Sequence, residues 1–220
     1  MSEALLEIEE LSARRGSRDV LTNVSFDVHP NEILGVIGPN GAGKTTLFEC
    51  VAGLLPTTSG TIRGESIFYV PDAIRPWPDQ TVRWTLKLSA EIYRRSVDHA
   101  TLTDLDLTAL LDQKVKSLSK GEVKRLGLAI GLLAPHRVVF LDEPFDGLDL
   151  RQTRQVMELL RAAKRTLVLS IHQLTDAARV CDHFLLLDHG RSVAKGTLQE
   201  LGGENLEEVF LALTDSQRPR

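Results

Sequence analysis

Long apolar stretches are missing from this chain: its longest runs are about half a dozen residues, where a helix crossing a bilayer needs ~20. No helical membrane span is expected, and because Met1-Ser2-Glu3-Ala4 begins no signal peptide the protein is expected to stay in the cytoplasm. Cysteine is nearly absent. Cys50 and Cys181 are the only two, far apart and with no CxxC or His-rich spacing, which excludes a disulfide framework and offers no zinc signature. Both are expected to be free thiols on packed helices. Positive charge is not in excess either: 26 Lys and Arg against 30 Asp and Glu leave a net charge of −4. That balance gives no general attraction to nucleic acid or to an anionic bilayer, so no nucleic-acid partner is expected and any membrane contact must pass through a protein. There is no internal repeat and no low-complexity tract. Only Gln217-Arg218-Pro219-Arg220 reads as frayed.

What is present is an ordinary globular composition, 220 residues with 42% hydrophobic and 25% charged, enough for one core in one domain or a domain carrying a subdomain. Leu5-Leu6-Glu7-Ile8 and the alternating Val24-Ser25-Phe26-Asp27-Val28 predict a small antiparallel β-layer at the start. From Ile33 onward apolar runs alternate with helical patterns: Ile33 to Ile37, Val138 to Leu141, Thr166 to Ile171 and Phe184 to Leu187. Such runs suit parallel strands buried on both faces. Between residues 79 and about 111, after the turn-rich Pro71-Asp72-Ala73-Ile74-Arg75-Pro76-Trp77-Pro78, the pattern becomes helical without buried strands and predicts a helical insert. Residues 205–213 place Leu206, Val209, Phe210 and Leu213 on one face of an amphipathic helix that packs on the core.

Chemistry enters directly after the first buried run. Gly38-Pro39-Asn40-Gly41-Ala42-Gly43-Lys44-Thr45 fills the pattern G-x-x-x-x-G-K-[ST], with Thr46-Leu47-Phe48-Glu49-Cys50-Val51-Ala52 continuing as a helix. Three glycines let the backbone turn its N–H groups around the α- and β-phosphates of a nucleoside triphosphate, Lys44 can reach the β- and γ-oxygens, and the Thr45 hydroxyl can ligate Mg²⁺. Val138-Val139-Phe140-Leu141 then ends in Asp142-Glu143-Pro144. Ligands of parallel sheets bind at the strands' carboxyl ends, so Asp142 suits Mg²⁺ held through water, and Glu143 suits orienting and deprotonating the attacking water. Solvated carboxylates at an ordinary strand end are the alternative, weakened by the phosphate loop upstream. His172 follows Thr166-Leu167-Val168-Leu169-Ser170-Ile171 in the same way and could reach the γ-phosphate, although a lone histidine is more often surface or satisfied core. The other five histidines read that way. Ser119 and Glu122 in Leu118-Ser119-Lys120-Gly121-Glu122-Val123-Lys124-Arg125 form an S-x-x-E capping box, a sufficient structural reading. A helix N-terminus carrying serine and glycine is also an anion site, and chemistry alone does not decide between the two.

Taken in order, GPNGAGKTT, LSKGEVKR, VVFLDEP, DGLD at Asp146-Gly147-Leu148-Asp149 and the histidine of SIHQ resemble the ATP-binding cassette (ABC) ATPases over nearly the whole chain. The resemblance implies an α/β P-loop NTPase core with a mostly parallel sheet, an N-terminal antiparallel β-layer and an inserted α-helical subdomain. Residues 1–72 and 134–220 would form the β-layer and nucleotide core, and 73–133 the helical subdomain. It further implies ATP and Mg²⁺ as ligands, with Gly38 to Thr46 as the Walker A segment, Glu143 as catalytic glutamate and His172 as the γ-phosphate switch. Two cassettes would dimerise head to tail, so that Ser119, Lys120, Gly121 and Glu122 of one copy complete the site of the other and Asp149 lies at the interface. Both sites of a homodimer would be competent.

Three departures from that pattern stand out. Arg15, in Ser12-Ala13-Arg14-Arg15-Gly16, falls where an aromatic residue usually stacks on adenine; a guanidinium plane can stack on a base, with weaker base selectivity. Asp72, in Tyr69-Val70-Pro71-Asp72, replaces a glutamine that links Mg²⁺ to the helical subdomain, and its shorter reach puts that coupling in question. Only eight residues separate Gly60 from Tyr69, so the β-segment usually found there is expected to be truncated.

The leading expectation is the ATP-hydrolysing subunit of an exporter whose membrane-spanning permease is a separate chain, placing this protein at the inner face of the cell membrane. The LSKG form and the ending LEEVFLALT resemble bacterial export-type cassettes for drugs, lipids or polysaccharides. Trp77 is the candidate contact for the permease, or else it packs the subdomain. A soluble ABC ATPase, such as one serving iron–sulfur assembly, is the alternative; long coiled-coil inserts or a second cassette with a basic linker would favour other soluble roles, and neither is present.

Overall fold

The computed structural model describes residues 3–72, 74–203 and 205–215, so the frayed ending expected at 217–220 lies outside the described residues. Its framework is a six-stranded sheet in the order β5-β6-β7-β3-β8-β9. The strands are β5 (Ile67–Val70), β6 (Val138–Asp142), β7 (Thr166–Ile171), β3 (Ile33–Ile37), β8 (His183–Asp188) and β9 (Arg191–Gly196). The first five run parallel and β9 closes the edge antiparallel.

Successive side chains in a strand point to opposite faces, and here the two faces feed two different cores. Ile33, Ile37, Val139, Leu141, Leu167, Leu169, Ile171, Phe184 and Leu186 join one cluster, in which helices α2 (Val82–Tyr93), α4 (Lys120–Leu133), α5 (Leu150–Ala162), α6 (Leu174–Val180) and α7 (Leu206–Asp215) take part. Leu34, Val36, Val138, Phe140, Val168, Leu185 and Leu187 join the other, shared with helix α1 (Lys44–Val51) and the β-layer. This two-sided burial is why the runs read as continuous apolar blocks rather than alternating ones.

The β-layer is a second sheet of β1 (Leu6–Arg15), β2 (Arg18–Val28) and β4 (Thr57–Gly64), in the order β2-β1-β4 and antiparallel. Where the short spacing between Gly60 and Tyr69 predicts a truncated segment, β4 is a full third strand, and the shortness falls in the two residues Glu65 and Ser66 before β5. Strand β4 reads TTSGTIRG and is exposed along its length, so no apolar alternation marked it.

Helix α3 (His99–Asp104), two 3₁₀ turns and helices α2 and α4 fall between β5 and β6. Leu86, Leu105, Leu107 and Val115 of this helical segment share the cluster that runs under the sheet, so the insert has no core of its own. The C-terminal helix buries Leu206 and Val209, with Phe210 and Leu213 packed against the same cluster. Among the described residues no helix is long and apolar enough to cross a membrane.

Candidate nucleotide site

Strands β6, β7 and β3 are neighbours, so the residues that follow their carboxyl ends meet at one edge. Those residues are Glu143, His172 and the loop opening at Gly38, which explains how positions far apart in sequence converge. Helix α1 begins beneath that loop, and Phe48 ties it to the carboxylate-bearing strand by packing edge-on against Phe140 at 4.8 Å. An aromatic pair of this kind adds about 0.5–1.5 kcal/mol beyond its burial.

The start of α1 differs from those of α2 to α5, whose first turns are each capped by a side chain. Its N-cap is Gly43 at φ 105°, with no side-chain hydrogen bond capping the first turn. A side chain there would be strained by that φ and would meet Leu21 Cδ2 at 2.8 Å. Helices α4 and α5 both carry complete capping boxes, from Ser119 with Glu122 and from Asp149 with Gln152. The uncapped N–H groups and dipole of α1 therefore remain to serve an anion. Lys44 is 6% exposed, and its ammonium donates to the carbonyls of Gly38 at 2.7 Å and Pro39 at 3.3 Å. Thr45 is exposed beside it.

Glu143 joins the two halves of the site. One carboxylate oxygen lies 3.5 Å from Lys44 Nζ, and the other is 2.6 Å from His172 Nδ1. A carboxylate only accepts, so that short contact puts a proton on Nδ1. Glu143 sits at φ 48°, a left-handed backbone that costs a non-glycine residue ~1 kcal/mol or more and persists only when its surroundings hold it. Its N–H donates to Ser170 Oγ at 2.8 Å, and Ser170 in turn donates to Asp142 Oδ1 at 2.5 Å. Tyr69 donates to the other Asp142 oxygen at 3.2 Å. Burial, together with the adjoining Asp142 charge, pushes the Tyr69 phenol well above its ordinary range, so it stays a donor.

The cleft over this edge has a volume of about 450 Å³ and is lined by Arg15, Asn40, Gly41, Gly43, Lys44, Thr45, Thr46 and Glu143, with Arg18, Asp19, Val20 and His189 completing the wall. A second hollow of about 200 Å³ shares Glu143 and runs past His172 to Asp146, Gly147 and Leu148. Arg15 is in the cleft wall as expected, but its guanidinium is engaged: it donates to Thr46 Oγ1 at 3.1 Å and pairs with Glu49. Asp142, 2% exposed, and Thr45 offer hard oxygen donors of the kind Mg²⁺ takes when phosphates and water complete its shell. Among the described residues no group of three or more His, Cys, Asp or Glu could hold a metal by itself. Asp72 is placed differently, with one oxygen 2.6 Å from Lys124 Nζ.

The Ser119 capping box closes the first turn of α4: Glu122 N–H donates to Ser119 Oγ at 3.3 Å and Ser119 N–H to Glu122 Oε2 at 2.7 Å. Lys120 donates to Asp146 at 2.5 Å. That hydrogen bond holds the Asp146 carboxyl below its ordinary range and raises the Lys120 ammonium above its own. A Cβ on Gly121 would come within 2.6 Å of the Gly147 carbonyl, so the helix start and the loop of Asp146 to Asp149 touch backbone to backbone. Asp149 spends its side chain on capping α5, where it accepts from Gln152 N–H at 2.9 Å.

Sequence reasoning passed over Ser170, Tyr69 and Lys124, and read His189 as surface or satisfied core; its 91% exposed side chain bears out the surface reading, although it also lines the cleft. Ser170 carried a signal, a polar residue inside the buried strand TLVLSI, where burial demands a partner. His189 stands just past the end of β8 as His172 does past β7.

A phosphate loop leading into an uncapped helix, with two carboxylates and a histidine at the adjoining strand ends, defines a P-loop nucleotide-binding cassette. The family model described as ABC transporter matches residues 21–146. The chain belongs to the ABC transporter family, as an ATP-binding subunit. It is 32% identical over 207 residues to an uncharacterized ABC transporter ATP-binding protein of Methanocaldococcus jannaschii, covering 89% of this chain and 79% of that protein. It is 33% identical over 250 residues to a Nod factor export ATP-binding protein I of Paraburkholderia xenovorans, covering 100% of this chain and 82% of that protein. A solved structure of an ATP binding subunit of an ABC transporter superposes with a TM-score of 0.86 at 29% identity, covering 96% of this chain and 99% of that one.

Proposed function

We propose that this chain binds ATP with Mg²⁺ and hydrolyses it to drive a separate membrane-spanning permease, in the direction of export. The observation that carries the catalytic part is the bridging position of Glu143, between Lys44 at 3.5 Å and His172 at 2.6 Å, beside the uncapped start of α1. In this reading the loop from Gly38 to Thr46 holds the phosphates, Glu143 orients the attacking water and accepts its proton, and His172 contacts the γ-phosphate. Thr45 and Asp142 would hold Mg²⁺, which when bound neutralises phosphate charge. Arg15, fixed by Glu49 and Thr46, would present a guanidinium plane to the base. Ser119 to Glu122 would face the nucleotide of a second copy.

The direction of transport is supported by the relative named for Nod factor export, similar over the whole of this chain. A permease contact is supported by an apolar hollow of about 170 Å³, whose lining includes Phe68, Ile74, Trp77 and Ile92. Trp77 is 42% exposed and meets Trp84 edge-on at 5.8 Å, so it leaves much of its ring for a partner.

The test is a tagged Glu143→Gln chain expressed in its native host, with membranes solubilised mildly and co-purifying proteins identified by mass spectrometry. A polytopic membrane protein in comparable amount is expected. A wholly soluble pool with cytosolic partners only would contradict the transport reading.

A further inference from the structure

Lys124 is a buried ammonium that the hydrolytic chemistry does not use. Its side chain is 2% exposed, and it donates to Asp72 Oδ1 at 2.6 Å and to the main-chain carbonyl of Asp142 at 3.0 Å. A buried charge is tolerated only when paired and hydrogen-bonded, so Asp72 is what allows a lysine at this place. The reverse also holds: a neutral side chain at 72 would leave Lys124 with the Asp142 carbonyl and no counter-charge in contact.

The pair belongs to a longer contact. Lys120, Lys124, Gly127 and Gly131 recur at the spacing of one face of α4. Lys120 reaches Asp146, Lys124 reaches Asp72 and Asp142, and the two glycines lie against Val70, where a Cβ would come within 3.1 Å and 3.0 Å of its methyl groups. Val70 pairs with Leu141 in the sheet, so this face of α4 touches the exit of β5 and the cation-holding end of β6 together.

We propose that Lys124 and Asp72 act as one electrostatic latch that fixes α4 against the end of β6, with Asp72 serving as the counter-ion of Lys124 rather than as a contact of Mg²⁺. The proposal rests on the nucleotide-site reading above. Lys124 is a positioning residue: Ser119 and Gly121 stand about one turn before it on a capped helix, so the end of β6 sets where they are presented to the second copy. A displacement of Asp142 or Asp72 is carried to the neighbouring site through this ammonium.

The test is a double-mutant cycle on the full chain with Asp72→Asn, Lys124→Met and both together, and with Lys124→Arg as the conservative variant. Each single change is expected to lower kcat on the order of tenfold while ATP affinity and the half-saturating Mg²⁺ concentration move little, and the double variant to lose no more than the worse single. Lys124→Arg should recover most of the rate. Amide exchange at 119–123, which needs no turnover, should accelerate equally in both singles and no further in the double. Should Lys124→Met fail to fold, Asp72→Asn and Lys124→Arg still decide the matter. Losses that multiply, unchanged exchange at 119–123, or an Asp72→Asn variant that alone raises the Mg²⁺ requirement tenfold would overturn the latch. Absence of hydrolysis in the unmodified chain would instead sink the nucleotide-site reading and leave the exchange result to judge the latch.

Discussion

Glu143 carries a strained backbone, one hydrogen bond from its N–H, and Lys44 and His172 as side-chain neighbours, and each has a separate cause. The φ of 48° follows from the strand ending at Asp142 and the chain turning at once, and Ser170 holds the turn by accepting the Glu143 N–H. Replacing Glu143 with Gln keeps that backbone and the size of the side chain but removes the proton acceptor. Steady-state ATP turnover is expected to fall by about 10²–10⁴ while ATP affinity is retained, measured by phosphate release and by equilibrium binding. Unchanged turnover would take Glu143 out of the role. The placement of Asp142, Glu143 and His172 was legible in the sequence because each follows an apolar run whose end had to lie at the sheet edge, and Lys44 because the pattern G-x-x-x-x-G-K-[ST] singles it out. Lys124 was not, because its partner Asp72 is met from another element, and Ser170 showed only as a polar residue in a buried strand, its partner Asp142 lying on the neighbouring one.

Helices α2 to α5 start on side-chain caps, and α1 and α6 do not. Helices α4 and α5 close their first turns with capping boxes, whereas α1 opens on Gly43 and leaves its donors unspent. Ser119→Ala removes the cap of α4 and is expected to cost about 1 kcal/mol of unfolding free energy, read from denaturant midpoints at unchanged slope. No measurable loss would mean that the packed face of α4, with its lysines and glycines, holds the helix without its cap. The buried strands β3, β6, β7 and β8 could be read in advance to within a residue or two, since burial on both faces writes them as apolar blocks. The polar edge strands β4 and β9 could not, because an edge strand owes its existence to the neighbour it pairs with rather than to its own pattern.

At the scale of the whole molecule, the two functional edges of the chain are held on one frame but do not serve the same nucleotide in the proposed arrangement. The loop from Gly38 to Thr46 and the strand-end carboxylates form an open cleft of about 450 Å³, while the α4 start at Ser119 presents its serine and lysine to solvent. A second copy placed head to tail would bring each α4 start over the other's cleft and close both sites together. The family model, the solved relative and the sheet order agree on the cassette, and the proposed closure of two copies on ATP is open to direct test. The measurement is the solution mass of the Glu143→Gln chain by light scattering, with and without MgATP, alongside the amount of ATP retained. The account predicts a monomer that becomes a dimer only with MgATP, holding one ATP per chain; a chain that binds ATP and stays monomeric at all concentrations would contradict it.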